Sequence, residues 1–410
     1  MIGRTMLSQP RAPGALPWWR VVEDEGFRLF FPLAALHAAL WPFLWVAVLA
    51  MDLPFADPMP ASVWHASEMI LGSWGAVLIG FMTTSAPEWT DTPRLRGMSL
   101  WRIAMLWGTA RVMGLIAWDP LLWVSLVCDL AWMGTLIFYL IRTSLVRRTD
   151  RLLPFIGWIV ALTAGAVVTR WSMAMGEVPL AEEAIVLTGL IFMGILGLAI
   201  GRISVPVANH LLDPTEATVP FRPHPGKLNL SPGLVAVAVI GELLGLSDPV
   251  TGWLWIAAGA AFVDRMSEGF IGRTAFRTEI LGLMASAGVA GAGLIALGAS
   301  RLGAPWGEVP TFHLAIMGGI GFGVISVFAI AGKFHTGQRL GQGWLTRGAY
   351  CCIGAGIALR VLPEMGLMPW PPGPPHVLAS LVWAAGFMLW LIDYLPTLTD
   401  SKTLDVEQLC

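Results

Sequence analysis

Histidines at the ends of long apolar segments are the residues best placed to do chemistry. His65 and Glu68 are three residues apart near the start of one such segment. In a helix they share a face, where a carboxylate can orient a metal-binding imidazole. His313 opens another apolar segment at the same predicted depth. Two imidazoles on different helices can ligate one haem iron or join a copper site, so we predict His65, Glu68 and His313 as an outer metal site.

Two further histidines are predicted to lie outside that outer site. His37 lies nine residues after Arg28, about 13 Å along a helix, and about 20 Å in height from His65. A neutral imidazole at that depth needs a polar partner or a metal from a neighbouring helix, so His37 predicts a second site. His335 follows His313 by 22 residues, about 33 Å, and we predict it as a metal ligand elsewhere. Three histidines receive no ligand role: His210, His224 and His376.

Arginines lie inside apolar segments at the level of the outer site. Arg111 and Arg170 are predicted as cofactor-binding residues, because a guanidinium matches the carboxylates of a haem propionate. Arg360 lies at the same level and is interpreted as extending to the surface. Arg111 is the deepest and needs a partner; Asp129 is a candidate to pair with cations or to serve a proton path.

The composition excludes several classes of protein. The chain has 410 residues, of which 56% are hydrophobic and 13% are charged. A soluble domain carries about 25% charged residues. The mean hydropathy is +0.70 and the net charge is −2. These values exclude a soluble globular protein, a disordered protein and a nucleic-acid-binding protein, which would need a basic balance.

Motif spacing excludes further chemistry. The four cysteines form no CxxC or CxxCH, which disfavours covalent haem attachment, zinc fingers and cysteine-ligated iron–sulfur clusters. No GxxxxGK[ST], GxSxG or HExxH occurs in a usable context, so nucleotide sites and hydrolase nucleophiles are not predicted. Redox catalysis at a haem or copper site stays open.

The elements that position these residues are predicted as membrane helices. A membrane helix needs about 20 mostly apolar residues, and the chain contains twelve such runs. They are 29–51, 64–86, 99–118, 121–142, 153–175, 184–208, 231–247, 250–268, 278–300, 311–333, 345–364 and 375–396. We therefore predict an all-α polytopic membrane protein without a soluble domain. Residues 29–396 form the membrane domain, and residues 1–28 and 397–410 form tails.

Charge asymmetry predicts the orientation in the lipid bilayer. With the N-terminus in the cytoplasm, 20 of the 25 basic residues fall at the cytoplasmic side and only Arg301 falls opposite. The other four lie within spans: Arg111, Arg170, Arg202 and Arg360. By the positive-inside rule, both termini are cytoplasmic.

Several stretches resemble the NnrS family of bacterial polytopic membrane proteins. The stretches that carry the resemblance are 27–36, 64–72, 80–90, 201–206, 312–314 followed by 318–321, and 335–339. The resemblance implies a haem- and copper-containing protein of the bacterial inner membrane, linked to nitric oxide stress and denitrification. It also implies that His65 and His313 are motif histidines. Nitric oxide, or another small diatomic, and respiratory or denitrification enzymes are the implied partners.

The sequence departs from the family pattern at three places. Ser67 stands where the family usually has a second histidine after His65, which predicts less metal at the outer site. Ile330 replaces an arginine, and Phe334 replaces a glycine before His335, with Arg339 one residue late. Two other functions stay open: a twelve-helix secondary transporter, and an assembly factor for a respiratory enzyme.

The predicted topology can be tested with reporter fusions. Because the charge asymmetry places the two positions on opposite sides of the membrane, a fusion at Asn229 should report the cytoplasm and one at Ala56 the periplasm. Activity of a compartment-specific reporter at each position is the measurement. If both reporters indicated the same side of the membrane, the predicted alternation of the spans would be wrong.

Overall fold

The computed structural model describes residues 16–50, 60–116, 119–215, 217–224 and 226–404. Over these ranges the chain forms helices joined by turns and no strand. The α-helices are α1 (Trp18–Val22), α2 (Gly26–Ala50), α3 (Ala61–Ser67), α4 (Gly75–Thr90), α5 (Met98–Ile116), α6 (Asp119–Arg147), α7 (Leu153–Met175), α8 (Val178–Leu212), α9 (Lys227–Leu243), α10 (Asp248–Arg265), α11 (Thr278–Arg301), α12 (Glu308–His313), α13 (Gly321–Phe334), α14 (Trp344–Val361) and α15 (Val377–Leu398).

Within the described ranges, eight helical stretches are long and apolar enough to cross a membrane. They are Gly26–Ala47, Ala61–Thr90, Pro120–Arg147, Leu153–Met175, Val178–Leu212, Thr278–Arg301, Glu308–Phe334 and Val377–Leu398. The all-α, membrane-like character predicted from the sequence is therefore confirmed. The other four predicted runs fall on α5, α9, α10 and α14, which are helices of 17 to 19 residues.

Two of the long stretches are interrupted by π-helical segments. Glu68–Trp74 joins α3 to α4, and Leu314–Ile320 joins α12 to α13. A π-helical turn holds one more residue than an α-helical turn, so it rotates the side chains that follow, and such turns are frequent at functional sites. His65 and His313 each lie in the short helix just before one of these segments.

The start of α2 and the end of α15 contact each other on one side of the helix bundle. Arg28, near the start of α2, donates hydrogen bonds to the carbonyl oxygens of Leu398 and Thr403, at 3.1 and 2.8 Å, and to Oγ1 of Thr403 at 2.9 Å. The start of α2 and the end of α15 therefore lie on the same side. Parts of both predicted tails, and position 56 of the topology test, lie outside the described residues.

Glycines allow several helices to approach with their backbones in contact. A Cβ at Gly319 would lie 2.6 Å from the Cβ of Ala290 in α11, and a Cβ at Gly321 would lie 2.7 Å from the ring of Trp383 in α15. The glycine-rich stretch around residue 319 therefore packs against neighbouring helices. Close backbone packing at glycines also joins α10 to α11, where a Cβ at Gly259 or Gly291 would lie 2.6 Å from the carbonyl oxygen of the other glycine.

Gly291→Ala should destabilise the protein, because the new methyl group would meet a backbone oxygen of α10 that cannot move independently. We expect a loss of about 1–3 kcal/mol in the free energy of unfolding. Thermal unfolding of the purified protein in detergent is the measurement. Gly157→Ala is the matched control, since no atom lies within 4 Å of the position its Cβ would occupy. Equal melting temperatures for the two variants would contradict the packing account.

Candidate functional site

Four charged side chains meet in the interior and form what we call the buried charge network: Glu68, Arg111, Asp129 and Arg170. They come from the π-helical segment before α4 and from α5, α6 and α7. Each is at most 3% exposed. Glu68 accepts hydrogen bonds from Arg111 at 3.0 Å and from Arg170 at 2.7 Å. Asp129 also accepts from both guanidiniums, with Nε of Arg170 at 3.3 Å. The network therefore ties four helical segments together.

Charge balance explains why these groups lie together. An ion buried alone costs several kcal/mol, and two carboxylates against two guanidiniums leave no net charge. The indole of Trp132 donates a further hydrogen bond to Asp129 at 2.9 Å. Gly114 leaves room for Glu68, whose Oε1 would lie 2.8 Å from a Cβ at that position. Arg111 and Arg170, predicted to bind a cofactor, are thus held by protein carboxylates and present no unbalanced charge to haem propionates.

His37 lies beside this network. Its Nδ1 is 2.8 Å from Oγ of Ser73, and its Nε2 is 3.7 Å from Oε2 of Glu68 and has no hydrogen-bond partner. The imidazole stacks on Trp41 with ring centroids 3.9 Å apart, and Gly72 leaves the space it occupies. The prediction that His37 meets a polar group of a neighbouring helix, and not lipid, is confirmed.

A second group, the outer histidine cluster, consists of His65, His313 and His376. Nδ1 of His313 donates to the carbonyl oxygen of Val309 at 2.8 Å, because a carbonyl can only accept. The lone pair of that imidazole is therefore on Nε2, where Nη2 of Arg360 lies at 3.4 Å. Arg360 also pairs with Glu364, which lies 3.7 Å from Nε2 of His376, and Trp45 contacts the rings of both His376 and His65. The structure thus brings the two predicted histidines into one neighbourhood.

Aromatic packing completes the outer histidine cluster. The indole of Trp45 lies against His65 and His376, with ring centroids 4.7 and 5.2 Å away. Nδ1 of each of these two histidines is buried and has no hydrogen-bond partner. Arg360 pairs with Glu364 at 2.5 Å, and Nε2 of His376 is 3.7 Å from the same carboxylate oxygen. These two orphaned nitrogens are the feature most easily explained by a bound group.

Two expectations about this region need correction. Glu68, predicted to orient His65, pairs instead with Arg111 and Arg170, because their charges must be balanced. Arg360, interpreted as extending to the surface, is 8% exposed and belongs to the outer histidine cluster. His376 was given no role because it follows a proline-rich stretch. The available signal was that it precedes an apolar span, as His65 and His313 do.

A third group, the inner cluster, consists of Glu25, Glu88 and His335. Nδ1 of His335 lies 3.0 Å from Oε1 of Glu25 and 3.3 Å from Oε1 of Glu88. Burial disfavours the charged imidazole, but the facing carboxylates of Glu25 and Glu88 outweigh burial and raise the pKa of His335. His335 is separated from the outer histidine cluster because most of the helical stretch Glu308–Phe334 lies between it and His313. No pattern in the sequence indicated its two carboxylate neighbours.

Comparison with known proteins assigns the chain to a family. The family model described as NnrS protein matches residues 22–402, nearly the whole chain. The chain belongs to the NnrS family. The resemblance inferred from the motifs is therefore confirmed, and the match includes the buried charge network and both clusters. No curated protein and no solved structure matches this NnrS-family chain.

Glu68→Gln should strongly destabilise this NnrS-family protein, because it leaves a buried guanidinium without its counter-charge. We expect a loss of about 3–5 kcal/mol in the free energy of unfolding. The double variant Glu68→Gln with Arg111→Gln restores neutrality and should lose less than the single variant. Thermal unfolding in detergent measures both effects, and Glu182→Gln, at an exposed position of α8, is the control. A Glu68→Gln protein as stable as that control would refute the charge-balance account.

Proposed function

We propose that the protein binds copper or haem at the outer histidine cluster and acts in the nitric oxide response, in protection or in denitrification. The observation that carries this proposal is the pair of buried, unpartnered Nδ1 atoms of His65 and His376 near His313, whose Nε2 accepts a 3.4 Å hydrogen bond from Arg360 that a bound metal would replace. Imidazole nitrogens are good ligands for copper and for haem iron. Membership of the NnrS family supports the same assignment.

The ring packing favours copper over haem. Trp45 is in contact with the rings of His65 and His376, so a planar macrocycle would have to separate them. A single ion requires smaller movements. The three imidazoles must still turn towards one another, because among the described residues only the inner cluster brings three potential ligand atoms within 4.8 Å. The carbonyl of Val309 fixes the tautomer of His313 with its lone pair on Nε2, a common arrangement at metal sites, and Arg360 would have to release that nitrogen before it could ligate.

Other residues of the cluster shape what the site can take. Copper or ferrous haem, when bound, supplies a coordination site for nitric oxide. Arg360 lies beside Nε2 of His313 and gives the site a positive potential that Glu364 partly balances. Trp45 packs against the rings of His65 and His376 and covers part of each. Ser67 is fully buried and its hydroxyl has no hydrogen-bond partner. It therefore does not replace the metal ligand that the second histidine of the family pattern would supply.

The proposal includes the cellular setting. We place the protein in the bacterial inner membrane with both termini in the cytoplasm, and its partners among respiratory or denitrification enzymes. The eight apolar helices and the charge asymmetry support the membrane setting. The contact between Arg28 and the segment after α15 supports chain ends on one side.

Metal analysis and absorption spectroscopy of the purified protein test the proposal. Protein produced with copper, iron and haem supplied should carry copper or show a haem Soret band. His65→Ala and His313→Ala should lower the bound metal at least tenfold, because each removes an imidazole ligand. His224→Ala, at an exposed loop position, should leave it unchanged. Protein that folds without copper or a Soret band would contradict the proposal and favour a transporter or an assembly factor.

A further inference from the structure

The inner cluster has the geometry of an ion-binding site. A zinc ion with bonds of about 2.1 Å in a tetrahedral arrangement holds its ligand atoms about 3.4 Å apart. Nδ1 of His335 lies 3.0 Å from Oε1 of Glu25 and 3.3 Å from Oε1 of Glu88, and all three ligand atoms are within 4.8 Å of one another. Only small side-chain movements separate this arrangement from ion coordination.

One ligand atom in this cluster lacks the bond that burial would demand. Glu25 is 1% exposed, and its Oε1 accepts no hydrogen bond although the imidazole of His335 is close. Oε1 faces Nδ1 of His335 at 3.0 Å as an ion pair without hydrogen-bond geometry, so a ligand that accepted its lone pair would improve its environment. Its other oxygen, Oε2, is 3.2 Å from Nη1 of Arg94, which holds the carboxylate with Oε1 directed at His335. The geometry therefore leaves a lone pair aimed into the cluster.

We propose that Glu25, Glu88 and His335 bind one divalent cation of the zinc class. The two carboxylates attract such an ion, although Arg94 already offsets part of their charge, and an imidazole with two carboxylate oxygens is a donor set that zinc accepts. Glu88 is partly exposed, so the fourth position opens to water. The hard cation magnesium prefers an all-oxygen octahedral shell and should bind far more weakly.

The position of the cluster gives the ion a mechanical role. Glu25 precedes α2, Glu88 lies near the end of α4, and His335 directly follows α13. An ion bound to all three would join the start of the membrane domain to two later helices. Arg94 already bridges both carboxylates, at 3.2 Å from Glu25 and 3.9 Å from Glu88, and would support the ion from outside. This inference does not depend on the outer histidine cluster.

Zinc titration of the full chain in detergent tests the proposal. After chelator treatment, the wild-type protein should bind one equivalent of zinc and melt at a higher temperature with zinc than without it. Glu25→Gln should lower the zinc affinity at least 100-fold and abolish the shift in melting temperature. Glu88→Gln, at a partly exposed position, is a second variant that tests the same site if Glu25→Gln fails to fold. X-ray absorption at the zinc edge should show one imidazole and oxygen ligands.

Two controls separate this site from the outer one. His313→Ala should keep the zinc equivalent, and Glu182→Gln should bind zinc as the wild type does. A zinc equivalent that is lost in His313→Ala but retained in both glutamate variants would assign zinc to the outer histidine cluster and overturn the proposal. Absence of saturable zinc binding would overturn it too, and would leave a protonated His335 as the bridge between the carboxylates.

Discussion

Charge neutrality in a dry interior is the constraint on which the rest of this structure depends. Glu68 and Asp129 can be buried because Arg111 and Arg170 lie between them, and neither pair would be stable without the other. These contacts fix α5, α6 and α7 against the π-helical segment that begins at Glu68. Because His65 lies one turn earlier in the same continuous helix, the network also determines where that imidazole lies.

The histidines are consequently divided among separate environments. His37 is held beside the network by Ser73 and Trp41, while His65 and His313 lie with His376 and Arg360. His335 lies with Glu25 and Glu88. Buried charge that is fully paired stabilises the bundle, whereas imidazole nitrogens without partners are free to bind a ligand. We therefore place the proposed metal sites at the two clusters, and we propose none at the buried charge network, where both carboxylates are paired with guanidiniums.

The sequence predicted the helical membrane architecture, because long apolar runs leave few alternatives. It also predicted that His335 could not share a site with His313, since helix rise along one continuous stretch fixes that distance, and it placed His37 at a different depth from His65. It failed where partners came from distant segments. Glu68 seemed to serve His65 by spacing, but its charge is used by arginines 43 and 102 residues away. Glu25 and Glu88 were missed because only the three-dimensional packing brings them to His335, whereas His376 was missed although it lies at the start of an apolar span as His65 and His313 do.

Anomalous diffraction from crystals of the purified protein, recorded at the copper and iron edges, tests the central claim most directly. The account predicts an anomalous peak among His65, His313 and His376, and none at the buried charge network, where every carboxylate already faces two guanidiniums. A peak between His37 and Glu68, with none at the outer histidine cluster, would contradict it.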